Sequence, residues 1–151
     1  MKLKAYILTF FLAGLALTAQ AQEGLHVGAV FDGSIVPYSK MQETIIQGPQ
    51  LIPYQLELYH SLSFDADDTV FAAVEQRVRE DMAGASDLRC DQHQGHLVYA
   101  VFSLPGHPSG LNRIVCFQTK RQRDTWKITL VYLRGKAQMS DLERMFNKKN
   151  N

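Results

Sequence analysis

From residue 96 to 134 the chain carries three strand-length apolar runs, each closed by a turn signal, and this rhythm constrains the fold more than any other feature. The runs are 96–104 (HLVYAVFSL), 113–119 (RIVCFQT) and 125–134 (TWKITLVYLR), all rich in β-branched and aromatic residues. Breakers separate them: PGHPSGLN over 105–112, KRQRD over 120–124 and Gly135 at the end. Consecutive strands joined by short turns pair antiparallel, so a meander is predicted. A fourth strand over 88–91 leads into it through a turn at 92–95. The run 96–104 is apolar on both faces, which predicts a central strand.

The earlier part of the chain adds strands and a helix. Residues 56–64 (LELYHSLSF) alternate, with Leu56, Leu58, His60, Leu62 and Phe64 on one face and Glu57, Tyr59, Ser61 and Ser63 on the other. Asp65 to Asp68 then supply carboxylates suited to open a helix. Val70, Phe71, Val74, Val78 and Met82 form its apolar stripe, and Gly84 ends it. Residues 25–31 (LHVGAVF) read as a short apolar strand, and 43–47 (ETIIQ) as another inside an irregular stretch from 32 to 54. A last helix runs from Met139 to about Lys149, with Ser140 as cap, Glu143 closing a capping box, and Leu142, Met145 and Phe146 buried. The predicted architecture is α+β: an antiparallel sheet of about five to six strands, ending in a four-strand meander, with two helices packed on one face.

The first 21 residues read as a cleavable export signal. Lys2 and Lys4 precede an apolar run over 6–17, and small residues stand at −3 and −1 of a cut after Ala21. The run is too short for a membrane-spanning helix, which needs about 20 apolar residues. No Cys follows the cut to accept a lipid. The predicted organisation is a signal peptide over 1–21 and a single domain over 22–151, located in the periplasm or outside the cell. With Lys2 and Lys4 gone, 14 basic residues face 15 acidic ones, a net of −1. That balance predicts neither nucleic-acid binding nor a membrane partner. Residues 22–112 carry 4 basic and 12 acidic side chains and residues 113–151 carry 10 and 3, but charges from two halves that fold together interleave on one surface.

Cys90 and Cys116 are an even pair in a chain read as exported, for which a disulfide is the ordinary expectation. The predicted meander opposes it. One strand lies between them, and two strand spacings are about 9.6 Å against a limit of about 7 Å for bridged Cα atoms. A bridge therefore requires Cys90 to sit beyond the end of its strand.

Chemistry-bearing motifs are sparse. His93 and His96 with Asp91 have the spacing of a metal pair, but His107 lies about 25 Å away at the standard strand rise and no third ligand converges. No metal and no cofactor is expected. His60, on the apolar face of its strand, reads as a hydrogen-bonded core histidine. Ser109 and His107 share a loop without the third group that would orient a base. Two surfaces suit binding: the proline-flanked Tyr38 and Tyr54, which offer rigid amphipathic contact area, and the loop carrying His107 and Ser109, longer than a usual hairpin connection.

The segment TLVYL over 129–133, then Arg134-Gly135, Ser140-Asp141-Leu142 and Met145-Phe146, resembles the C-terminal end of uncharacterised bacterial families of small exported proteins, Gram-negative and Bacteroides-like, known only as domains of unknown function. Glu43 to Gly48, leading to Pro53-Tyr54 and the strand at Leu56, resembles the N-terminal half of one such family. The resemblance implies an envelope or secreted location and brings no activity or site residues. The reading is a non-enzymatic binding or accessory domain of the cell envelope, with an envelope protein or glycan as partner. A small hydrolase or carbohydrate-acting enzyme using His60 or His107 beside an acid, and a purely structural envelope component, stand as the alternatives.

Overall fold

A computed structural model describes residues 24–105 and 107–149, and side chains through Arg144. The expected export signal and the side chains of Met145 and Phe146 lie outside the described part. Six strands form one antiparallel sheet: β1 (Gln42–Gln47), β2 (Leu56–Ala66), β3 (Asp87–His93), β4 (His96–Leu104), β5 (Asn112–Gln122) and β6 (Thr125–Gly135). Their order is β1-β2-β6-β5-β4-β3, so β3 to β6 are the predicted meander and β2 joins it along β6. Among the described residues three α-helices accompany it: α1 (Gly28–Phe31), α2 (Asp68–Met82) and α3 (Met139–Lys149).

The principal core lies on one face, here the front. Leu58, Leu62, Leu130, Phe117 and Phe102 project from the sheet to meet Phe71, Val74 and Val78 of α2. Asp67 caps α2, its Oδ1 accepting the Val70 N–H at 2.8 Å, so the carboxylate-rich opening does what its composition suggests.

The region 25–31 is not a strand. Val27, Val30 and Phe31 are buried at helical spacing, and the Asp81 carboxylate takes the His26 and Val27 N–H groups at 2.9 Å each. Those donors would otherwise need a strand neighbour. A short apolar run has no period that separates strand from helix, and a distant acid decides it. The run 96–104 is also not central: β4 is second from an edge, with Val98 and Tyr99 exposed, and the middle of the sheet is β6 and β5.

The two helices lie on opposite faces, which corrects the expectation of one. Gly135 ends β6 against Gln55 and Leu56, where any Cβ would meet backbone. Lys136 and Ala137 then donate to Gln55 O at 2.9 and 3.0 Å, and the Asn112 side-chain amide donates to Ala137 O at 3.1 Å. So tethered, α3 drops Met139 and Leu142 onto Ile114 and Leu133, a smaller apolar cluster on the back of the sheet. Its cap also sits elsewhere than predicted. Asp141 Oδ2 accepts the Gln138 N–H at 2.9 Å, while Glu143 pairs with Arg89 of β3.

Candidate functional site

The two edges of the sheet differ. Along β3, Asp87, Arg89, Asp91 and His93 are all exposed, and a register shift between Asp91 and Gln92 breaks the ladder with β4. Along β1, six consecutive residues pair with β2 without irregularity. The one charge on β1, Glu43, is drawn toward the sheet by His60, whose Nε2–H donates to Glu43 Oε2 at 2.8 Å. Large apolar side chains gather at β1 and its flanking turns: Tyr38 is 45% exposed, Ile45 38%, Ile52 70% and Tyr54 46%. Ile52 and Tyr54 belong to a 3-10 turn over Pro49–Tyr54 in the β1–β2 connection. Tyr38 is partly engaged, because its hydroxyl donates to Phe31 O at 2.8 Å and its ring closes on Gly33, whose φ of +83° suits glycine. Tyr38 stands in the turn before β1 and Tyr54 in the turn after it, and sequence reasoning did not single out the exposed Ile45 on the strand or Ile52 in the second turn. An exposed, unbroken edge strand was the signal available for them, once β1 is known to be an edge.

The loop carrying His107 and Ser109 lies over a basic corner. Ser109 N–H and the Ser109 hydroxyl both reach His107 Nδ1, at 3.1 and 2.5 Å, so Nδ1 accepts and the ring proton sits on Nε2. Burial, then Arg113 and Arg134, push the His107 pKa down. A serine–histidine mechanism requires the imidazolium to be stabilised by an acid, and two guanidinium groups do the reverse. Arg113 and Arg134 stand directly opposite each other on β5 and β6. Arg113 donates to Pro105 O at 3.3 Å, and Arg134 Nε lies 4.0 Å from Glu57.

His60 is sealed. It is 2% exposed, its ring centroid lies 4.6 Å from that of Phe31, and burial lowers its pKa against the opposing pull of Glu43. A neutral, enclosed imidazole has no path to substrate. His96 lies edge-on to Phe71 and Trp126, with Nδ1 3.5 Å from Glu75 Oε1, and is not brought together with His107. Trp126 stacks on Phe71 at 4.0 Å and lies beneath Arg121, which itself pairs with Asp68 at 2.7 Å. Arg121 to Asp68 joins the basic end of the chain to its acidic part, as does Arg134 beside Glu57, so the lopsided sequence charges interleave in space.

Cys90 and Cys116 are free thiols. Cys90 stands opposite Ala100, which stands opposite Phe117, on the front face; Cys116 stands opposite Val101, which stands opposite Arg89, on the back. Opposite faces and an intervening strand remove the disulfide considered above. Burial pushes the Cys116 thiol up to about 12.

No curated protein matches the chain. A protein-family model described as a family of unknown function, DUF6108, matches residues 14–146. The match spans most of the sequence and contains every strand of the sheet, and the chain therefore belongs to the DUF6108 family.

Proposed function

We propose that the protein is an exported, non-enzymatic binding domain of the cell envelope, and that it takes a protein partner along the β1 edge. The observation that carries this reading is the unguarded state of β1. Edge strands present unpaired N–H and C=O groups and are ordinarily protected by charge, bulges or covering chain. β3 has the first two of these. Along β1 the register is unbroken, the one charge is turned in to His60, no described strand pairs with its outer side, and Ile45 on it and Ile52 and Tyr54 in the turn after it are exposed. An extended partner segment added to β1 would gain main-chain hydrogen bonds from the edge and side-chain contacts from these residues.

The export half of the proposal rests on the n-region, apolar run and small-residue cut of residues 1–21. Intact mass of the protein recovered from its own cell tests it: an N-terminus at Gln22 is expected, and a chain still beginning at Met1 overturns it. The binding half is tested by photo-crosslinking in the cell from a reactive residue placed at Ile52, with a matching one at Leu88 on β3. A single protein adduct from position 52 that is lost on Ile45→Asp supports the reading. The same adducts from both positions, or an adduct insensitive to Ile45→Asp, overturn it.

A further inference from the structure

Arg113 and Arg134 occupy the front row Leu104–Arg113–Arg134–Leu58, between two buried leucines. Like charges directly opposite on neighbouring strands repel. Each of these arginines also carries a buried Nε–H without a hydrogen-bond partner, and among the described residues they are the two side chains of which this is true. A buried donor left unmade costs about 1–3 kcal/mol, and such groups in native proteins call for an explanation, an ion among them. The carboxylate beside them, Glu57, is 59% exposed and stays at 4.0 Å from Arg134 Nε, beyond hydrogen-bond distance. Nothing in the secondary structure asks for arginine at both positions, and two apolar residues would continue the row.

We propose that the Arg113–Arg134 corner binds a tetrahedral oxyanion, a phosphate or sulfate group. Two guanidinium forks side by side supply Nε–H and Nη–H pairs to several oxygens of one group, which is the geometry in which arginine surpasses lysine. Two positive charges are balanced by a dianion, whereas one carboxylate would leave a net charge beside the core. Arg134 is partly exposed, so the corner meets solvent and an anion can reach it. The site is independent of the β1 edge, since it is built on β5 and β6.

The test follows the two orphaned groups themselves. Arginine Nε–H signals of the protein recovered from its cell are recorded by 1H–15N correlation during titration with inorganic phosphate, sulfate, acetate and chloride at constant ionic strength. Saturable shifts of the Arg113 and Arg134 signals with one shared dissociation constant are expected for phosphate or sulfate, and the tighter of the two identifies the group. Arg113→Lys and Arg134→Lys, which keep the charge and lose the fork, should each weaken binding roughly ten- to hundredfold. Glu57→Gln, which removes the neighbouring carboxylate, should tighten it. Shifts that grow linearly and alike in all four salts, acetate binding as tightly as phosphate and sulfate, or lysine variants that bind like the wild type would overturn the proposal.

Discussion

β1 and β3 close the same sheet at its two sides, yet they are built by different rules. β3 is exposed along its whole length and survives because charge alternates along it and a bulge interrupts it. β1 is shorter and regular, and its one charge is spent inward on His60. An edge that exposes every residue can be guarded by its charges, and an edge that exposes fewer can lack that guard. What separates them is whether the outward groups refuse a neighbour.

The largest effect should come from cutting the approach to β1. The segment before it is pinned where Asp81 accepts two backbone N–H groups and faces His26 Nδ1 at 2.9 Å. Asp81→Ala orphans buried donors and should cost about 2–4 kcal/mol, read as a lowered denaturation midpoint with an unchanged slope. Hydrogen exchange should rise in residues 25–47 and stay flat along β3. Equal loss of protection at both edges would erase the contrast.

Glu43→Ala should cost less, about 1–3 kcal/mol, by removing the carboxylate that accepts the His60 Nε2–H. The same histidine predicts a pH effect localised to this side. Its proton is held less tightly in the fold than at its ordinary value of 6.5, so the unfolded chain takes up protons first as the pH falls. Stability contributed by neutral His60 is therefore present above 6.5 and is lost as the pH drops below it. Thermal melts on both sides of that value should show a steeper acid loss for wild type than for His60→Gln, and equal slopes would refute the assignment.

Ile45→Lys would make β1 resemble β3. A surface change of this kind should move stability by no more than about 0.5 kcal/mol while abolishing capture of the partner, a separation that melting and crosslinking together would reveal. The smallest effect is chemical. A thiol reagent near neutral pH should modify exposed Cys90 on β3 and spare Cys116, whose thiol is pushed up to about 12, giving one adduct by intact mass. A partner seated on β1 should leave the Cys90 rate unchanged.

Much of the fold was legible because strand signals are local. Alternation from Leu56 to Phe64 became β2, and the three runs after His96 became β4, β5 and β6 in sequential order. The front core followed from the stripe of α2. The candidate sites were legible only in part. Tyr38, Tyr54 and the loop of His107 and Ser109 came from turn chemistry and loop length; both tyrosines are exposed, and His107 and Ser109 bond each other within their loop. Arg113 and Arg134 were invisible as a pair, because 21 positions separate them and only the β5–β6 register places them opposite each other. Ile45 and Ile52 were invisible for the same reason: that β1 is an edge depends on where β2 and β6 pair, which no local pattern encodes.

Period, breakers and composition sufficed to establish an antiparallel α+β chain with a C-terminal meander and a capped helix, since each depends on residues a few positions apart. Which strand stands at the margin, which face each helix covers, whether 25–31 coils or extends, and which charges are left without partners all turn on contacts between distant residues. Asp81 claims the backbone of His26 and Val27, and Gly135 and Gln55 send α3 to the back of the sheet. Those outcomes were open until packing chose among arrangements with the same local preferences.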